Sequence, residues 1–201
     1  MPGGEGDPAE VRRGRNGHCR GLRRLKGLGL PDGYRIRPRR PQDDFALVAL
    51  EKRAAERFRA HGHPGIADAP AASPEIFMAL WTGHDVLVAV GPDGEPVGFA
   101  AAVPVDRFLH LAELSVDPNH GRIGVGRALV GAIVALARER GLAGVTLTTF
   151  RAVPFNAPFY VRLGFAEMPM ADAPEVLREQ FLAELPPLVA VDARVLMIRR
   201  L

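Results

Sequence analysis

The chain has little cysteine and no long apolar run, and these scarcities exclude several classes of protein. Cys19 is the single cysteine among 201 residues, so an internal disulfide is impossible and a reducing cytoplasmic location is expected. No uncharged apolar run reaches the ~18 residues of a membrane-spanning helix, and the N-terminus lacks the apolar segment of a secretory signal. The six histidines have no convincing ligand spacing apart from the pair His61 and His63, so no metal is expected.

Charge is distributed unevenly along the chain. Residues 1–41 contain 11 Arg or Lys and 4 Asp or Glu, a net charge of +7, whereas the other 160 residues contain 15 and 19, a net charge of −4. We expect residues 1–32, which are rich in glycine and arginine and lack apolar periodicity, to be a disordered basic tail. Residues 33–201 suffice for one domain with a sizeable core. An acidic domain suits a cationic amine substrate better than nucleic acid.

Apolar periodicity and turn residues predict a mixed α/β domain built round one sheet. Strands are expected at YRIRP, DVLVAV, VGFAAAVPV, LHLAELSV, VTLTTF, GFAEMP and ARVLMIRR. Helices are expected over 41–61, 74–81, 124–140, 156–164 and 174–185, with a Gly/Pro/Ala-rich loop between the first two. Ser73 and Asn156 are the expected N-caps of the second and fourth helices. The predicted order is β–α–α–β–β–β–α–β–α–β–α–β.

A glycine-rich loop lies between a predicted strand and a predicted helix. Its sequence GRIGVG has three glycines in six residues, and this order of strand, loop and helix forms an anion site from backbone N–H groups. The spacing G-x-x-G-x-G differs from that of dinucleotide and triphosphate loops. Gly124 and Gly126 have no Cβ, so a diphosphate can approach their amides, and Arg122 and Arg127 can neutralise it. An ordinary glycine turn before a helix is the alternative interpretation of the loop alone.

Two segments together resemble the GNAT family, the GCN5-related N-acetyltransferases. They are ELSVDPNHGRIGVGRALV (Glu113 to Val130) and NAPFYVRLGF (Asn156 to Phe165). The resemblance implies a mostly antiparallel central sheet flanked by helices, acetyl-CoA as the acetyl donor and no metal. It departs from the usual pattern at Gly121, where the family has Arg or Gln, and at Val153, where it has Asn.

The resemblance also implies which residues bind the CoA moiety. The glycine loop is expected to bind the pyrophosphate, and the strand before it to hydrogen-bond the pantetheine arm. A tyrosine on the later helix is expected near the sulfur. The cofactor-binding residues implied in this way are Leu114, Ser115, Val116, Gly121, Arg122, Ile123, Gly124, Val125, Gly126, Arg127 and Asn156.

Tyr160 and Glu113 are the candidate catalytic residues. Acetyl transfer requires that a cationic amine lose a proton, that the thioester oxygen be stabilised, and that the leaving thiolate gain a proton. We expect Tyr160 to be the general acid, with a packing role beside Phe159 as the alternative. Glu113 is the expected base, directly or through water, because a carboxylate within an otherwise apolar strand requires a reason. Strand alternation places it with Leu111 and Ser115 on one face. Its alternative roles are exposure at an open part of the sheet or pairing with an arginine.

The strand that contains Glu113 must also supply backbone donors. The N–H groups of residues 114–116 are the expected donors to the thioester oxygen and to pantetheine. They serve only if they are free of the neighbouring strand, which a β-bulge would allow.

The sequence therefore predicts an N-acetyltransferase that moves acetyl from acetyl-CoA to a primary amine of a small molecule in a ternary complex. Acetylation of protein N-termini or lysines is an alternative. A second is a non-catalytic acetyl-CoA sensor, and a third is a nucleic-acid-binding protein that uses its basic tail. A homodimer is common in the family, but no residue of this chain identifies one. The acceptor pocket is expected near the first helix, residues 61–73 and residues 168–172.

Overall fold

In the part of the chain that the structure describes, seven strands form one sheet, and a single neighbouring pair of strands is parallel. The structure is a computed structural model that describes residues 29–187 and 189–201. The strands are β1 Arg35–Pro38, β2 Asp85–Val90, β3 Pro96–Val105, β4 Phe108–Val116, β5 Gly144–Phe150, β6 Ala166–Glu167 and β7 Arg194–Arg200. Their order in the sheet is β1-β2-β3-β4-β5-β7-β6, and β4 and β5 are the parallel pair. The helices are α1 Asp44–Ala55, α2 Pro64–Asp68, α3 Pro74–Leu80, α4 Val125–Glu139, α5 Ala157–Val161 and α6 Glu175–Ala183.

The predicted mixed α/β class and element order are confirmed, with differences around the first helix. The expected helix over 41–61 is α1 with a short 3-10 segment at each end. The expected loop after it contains the short helix α2, which begins at Pro64, a residue suited to the first helical position. Ser73 caps α3 as expected, because its side chain accepts a hydrogen bond from the Ile76 N–H at 3.3 Å.

Apolar side chains form three clusters around the sheet. The first cluster lies between the sheet and α4, whose buried residues repeat at helical spacing and include Leu129 and Ile133. The second lies on the other face, where Leu47 and Leu50 of α1 pack with Phe77 of α3. The third holds α6 against β7. Both faces of the central strands are therefore covered, which explains their nearly continuous apolar sequence.

A β-bulge at Ala112 divides β4 into two parts. Ala101 of β3 pairs with Glu113, and Ala102 pairs with Leu111, so Ala112 is the extra residue. The extra residue reverses the alternation of side chains: Leu111 belongs to the first cluster, whereas Glu113 lies opposite Ala101, a member of the second. The expectation that Leu111 shares a face with Glu113 is therefore wrong.

β4 and β5 separate just after this bulge. Their parallel pairing covers residues 108–111 and 144–147. β4 then continues to Val116 along β3, and β5 continues to Phe150 along β7. In the part of the chain that the structure describes, residues 112–116 therefore have no strand on their β5 side. This opening is called the β4–β5 cleft below.

Most of the predicted tail, residues 1–28, lies outside the described residues. Of the remainder, Leu30 packs against the first cluster and the Gly29 carbonyl approaches Gly124. None of the helices in the described ranges has the length and apolarity of a membrane span. Those ranges also contain no group of three or more histidine, cysteine, aspartate or glutamate side chains that could hold a metal ion.

Candidate functional site

The open edge of β4 presents backbone donors to the cleft. The Asp117 N–H donates to the Val97 carbonyl at 2.9 Å, so the odd-numbered N–H groups before it also point toward β3. The N–H groups of Leu114 and Val116 consequently point away from β3, into the cleft. The Ser115 N–H points toward β3, so the expected group of three donors is reduced to two. Of these two, the Leu114 N–H also hydrogen-bonds the Glu113 carboxylate. A carbonyl or amide placed along this edge would find the donors that a neighbouring strand normally uses.

The glycine loop joins this edge to the N-terminus of α4. Gly124 has a φ of +100° and Arg122 a φ of +63°, so the chain turns sharply through left-handed conformations. The first hydrogen bond at the start of α4 runs from the Ala128 N–H to the Gly124 carbonyl at 2.9 Å. The N–H groups of residues 125–127 precede that bond and lack intrahelical acceptors, so they and the helix dipole form a site for an anion. The side chains of Arg122 and Arg127 are exposed beside it.

Three segments meet at Gly126. A Cβ added to this residue would lie 3.6 Å from the side chains of both Val116 and Phe159. Gly126 therefore connects the end of β4, the start of α4 and the α5 helix that contains Tyr160. The predicted phosphate loop and the predicted general acid, which are well separated in the sequence, lie at one end of the sheet.

Tyr160 is buried, with only 8% of its surface exposed. Its ring packs edge-on against Phe159 and Phe165, at centroid distances of 5.1 and 5.6 Å. Its hydroxyl makes no hydrogen bond to any residue in the described ranges. Burial, and then the nearby charge of Glu113, raise the pKa of this phenol. Tyr160 thus remains a neutral O–H donor at physiological pH.

Asn156 fixes the start of α5, although its side chain does not cap the helix. Its backbone carbonyl accepts the Phe159 and Tyr160 N–H groups at 2.8 and 3.1 Å. Its side-chain amide instead donates to the Thr149 hydroxyl on β5 at 2.7 Å. The expected side-chain cap is therefore wrong, while the position of the helix start is right. In the structure Asn156 attaches α5 to β5 and so determines where Tyr160 lies.

Glu113 lies just beyond the bulge and is partly buried. Its carboxylate accepts a hydrogen bond from the Ser115 hydroxyl at 2.8 Å. Burial raises the pKa of Glu113, and the charge of Glu184 raises it further, while the Ser115 and Leu114 hydrogen bonds and the Arg194 charge act in the opposite direction. A carboxylate with a raised pKa is a stronger base than an ordinary one, as proton abstraction near neutral pH requires.

A buried polar network near Glu113 could not be recognised in the sequence. His110 is fully buried, and its ring nitrogens lie 3.0 Å from the Thr146 hydroxyl and 3.0 Å from the Glu184 carboxylate. The Glu184 carboxylate also accepts from the Thr148 hydroxyl. Burial opposes ionisation of Glu184, but the hydrogen bond and charge of His110 lead the contacts that lower its pKa overall. Glu184 follows α6, far along the chain from His110, so no local spacing could have identified this pair.

Arg194 connects that network to Glu113. Its guanidinium donates to the Thr148 hydroxyl at 2.9 Å and lies 4.9 Å from the centroid of the Phe150 ring. Burial lowers the pKa of Arg194, whereas the charges of Glu184 and Glu113 raise it. The first residue of β7 thus supplies a cation close to the candidate base.

An aromatic wall borders the cleft on the α1 side. His63 packs on Phe150 at 4.1 Å, and Phe58 contacts Phe150 and Phe155 at 5.5 and 5.1 Å. A surface pocket of 390 Å³ lies beside this wall, lined by His61, His63, Phe150, Arg151, Ala152, Val153, Asp192 and Ala193. The expected acceptor region around residues 61–73 thus contributes two histidines, whereas Met168 is buried in the third cluster.

The chain matches the model of the acetyltransferase (GNAT) family over residues 49–165. It is 34% identical to the mycothiol acetyltransferase of Salinispora tropica over 144 residues, 68% of this chain and 46% of that protein. It is 39% identical to the streptothricin acetyltransferase of Streptomyces lavendulae over 83 residues, 39% of this chain and 43% of that protein. Each match thus spans less than half the length of the curated relative.

Solved structures share the fold at low sequence identity. Ard1 from Thermoplasma volcanium superposes with a TM-score of 0.59 at 20% identity, covering 84% of this chain and 98% of that one. The PaiA N-acetyltransferase from Thermoplasma acidophilum, solved in complex with coenzyme A, gives 0.57 at 16% identity, covering 84% and 99%. The family model covers more than half of the sequence, and these structures share the fold. The chain belongs to the GNAT family of acetyltransferases.

Proposed function

We propose that this chain is an N-acetyltransferase that moves the acetyl group of acetyl-CoA to a primary amine of a small molecule, directly, in a ternary complex. One observation carries the proposal. The open β4 edge lies between a backbone anion site at α4 and a buried tyrosine hydroxyl that makes no hydrogen bond within the described ranges. A diphosphate, an extended amide-bearing arm and a thioester would find their partners in that order along the cleft.

The residues of the cleft supply each proton movement that the reaction needs. Glu113 takes a proton from the acceptor ammonium, directly or through water, so that the nitrogen lone pair can attack the thioester carbonyl carbon. The Val116 N–H donates to the carbonyl oxygen as it gains negative charge. The Leu114 N–H, which contacts the Glu113 carboxylate, can join it once Glu113 has taken up the proton. The carbon–sulfur bond then breaks, and Tyr160 gives its proton to the thiolate. The nitrogen loses a second proton as the amide forms, and a proton taken up through water restores the Tyr160 phenol. An amide and free CoA result, and the one proton released overall is the proton held by Glu113.

Glycine-loop residues would hold the diphosphate of CoA. The N–H groups of residues 125–127 are free of helical acceptors, and Arg122 and Arg127 lie exposed beside them. Gly126 has no Cβ, so a phosphate can approach its amide closely. Asn156 supports the site through α5, rather than through a contact of its own with CoA.

A small amine is favoured as the acceptor. The names of the two curated relatives describe acetyltransferases of mycothiol and streptothricin, which are small molecules. The residues from 42 onward have a net charge of −4, from 15 basic and 19 acidic residues, which suits a cationic acceptor.

Release of CoA from acetyl-CoA tests the proposal, with polyamines, aminoglycosides, amino acids and short peptides as acceptors. A thiol reagent detects the product, and the Cys19→Ser variant removes the only protein thiol. We expect release that depends on a small amine. Release with peptides alone would favour a protein acetyltransferase. Binding of acetyl-CoA without release would favour a sensor, and absence of binding would refute the assignment of the cleft.

A further inference from the structure

A second glutamate lies on the helix that faces Glu113. Leu47 and Leu50 of α1 are fully buried in the second cluster. Glu51 is four residues after Leu47, one turn further along, so it lies on the same side of the helix as a residue that contacts the sheet. Its side chain is partly buried.

Glu113 projects from the sheet toward the same helix. It lies directly opposite Ala101, and Ala101 belongs to the cluster that contains Leu47 and Leu50. The Ala112 bulge gives Glu113 this orientation. Burial, and then the charge of Glu113, raise the pKa of Glu51 to about 7, as expected for two carboxylates that approach each other away from bulk water.

Glu51 has no counter-ion among the residues that the structure describes. Within residues 29–187 and 189–201, no lysine, arginine or histidine makes an ion pair or hydrogen bond with it. The neighbouring cations are engaged elsewhere: Lys52 donates to the carbonyls of Ala67 and Ala69, and Arg53 pairs with Asp117 at 2.6 Å. Arg194 interacts with Glu113 but is shared with Glu184. A partly buried carboxylate without a partner costs free energy unless a cation arrives from outside.

We propose that Glu51 determines acceptor specificity: with Glu113 it binds the ammonium group of a cationic amine and so selects charged amines over neutral ones. The inference rests on the proposed acetyl transfer. Glu51 belongs to α1 and Glu113 to β4, so an ammonium between them would sit beside the open β4 edge. Glu113 then removes the proton, while Glu51 keeps the acceptor in place.

The Glu51→Gln variant tests this role because it keeps the shape of the side chain and removes its charge. Loss of a hydrogen bond to a charged group should raise the KM for the amine by roughly 10- to 100-fold. The KM for acetyl-CoA should not change, because the proposed anion site at α4 lies on the opposite face of the sheet from α1. Glu51→Asp should retain part of the amine affinity. The matched control is Glu139→Gln, an exposed glutamate at the end of α4.

Thermal stabilisation by spermidine provides a readout that does not depend on turnover. We expect spermidine to raise the Tm of the wild type and of Glu139→Gln, and to raise that of Glu51→Gln much less. An equal rise in all three proteins, or no rise in the wild type, would overturn the role of Glu51. Failure of the wild type to release CoA with any amine would instead overturn acetyl transfer, and the two failures are therefore distinguishable.

Discussion

The hydroxyl of Tyr160 can be removed with little effect on packing. The ring is fixed by Phe159 and Phe165, while the hydroxyl makes no hydrogen bond within the described ranges. Tyr160→Phe should therefore fold normally and lower kcat by about 10²–10⁴. Steady-state kinetics should show this loss with little change in the KM for acetyl-CoA. An unchanged kcat would remove Tyr160 from the proton transfer.

Glu51 should make stability depend on pH in a defined direction. Its pKa is raised from 4.5 to about 7 in the folded chain, so the folded state holds this proton more tightly than the unfolded state does. The resulting contribution to the free energy of unfolding is complete below pH 4.5 and is lost as the pH rises to about 7. Glu51→Gln cannot lose this contribution.

Denaturant unfolding across that window gives the comparison. The Glu51→Gln variant should gain stability relative to the wild type as the pH rises, and the gain should level off above neutrality. The Glu139→Gln variant replaces an exposed carboxylate, so its stability should follow that of the wild type. If the free energy of unfolding varied with pH in the same way for the wild type and for Glu51→Gln, the close approach of Glu51 and Glu113 would be contradicted.

Single residues differ in how far the sequence indicates their surroundings. Tyr160 could be proposed because it lies in a segment that resembles the family, and Glu113 because a carboxylate is unusual within an apolar strand. Glu51 could not, because a glutamate on an amphipathic helix is normally solvated, and only the packing of α1 on β3 and β4 places it opposite Glu113. The hydrogen bond between His110 and Glu184 could not be predicted, because it joins segments that are distant in the sequence.

At the scale of elements, the start of α4 is the part of the site built from backbone alone. A Cβ at Gly126 meets its neighbours at 3.6 Å, which is ordinary contact, so a Cβ there does not by itself force the backbone to move. Gly126→Glu should weaken acetyl-CoA binding strongly, because the carboxylate would repel the diphosphate. Gly126→Gln, with the same size and no charge, should weaken it less. Calorimetric titration measures both, and equal affinities for these variants and the wild type would refute the loop as the phosphate site.

The attachment of α5 to β5 gives a second prediction at this scale. The hydrogen bond from the Asn156 amide to the buried Thr149 hydroxyl holds the helix that contains Tyr160. Asn156→Ala and Thr149→Val should each lower stability by about 1 kcal/mol and reduce kcat. Because both remove the same bond, the double variant should resemble the single ones, as a double-mutant cycle would detect. Additive losses in kcat would contradict a shared role.

The order of strands and helices along the chain could be predicted because periodicity, glycines and prolines act locally. The bulge at Ala112 could not, since nothing in LHLAELSV marks which residue lacks a partner on β3. That single residue decides the face of Glu113, and so the prediction by simple alternation misplaced Leu111. The acceptor of the Asn156 amide likewise depends on where β5 ends relative to α5.

On the scale of the whole molecule, the site exists because β4 follows β3 while β5 follows β7. The two strands share pairing only over residues 108–111 and 144–147, and the later part of each is stabilised on its other side. Both strands therefore remain ordered parts of the sheet on either side of the cleft. Helices cover both faces of the sheet. The proposed anion site belongs to α4 on one face, and Glu51 belongs to α1 on the other. Acetyl-CoA and the acceptor amine can thus enter the cleft from opposite faces of the sheet.

Direct transfer is the central claim, and mass spectrometry of a single turnover tests it. The full chain would be mixed with a slight excess of acetyl-CoA and with an amine acceptor identified in the release assay, and both the amine and the protein would be weighed. We predict an amine that is one acetyl group heavier, equimolar free CoA, and a protein of unchanged mass at every time point. An acetylated protein that forms before the product, or loss of acetyl-CoA to acetate without acetylated amine, would contradict direct transfer in the cleft.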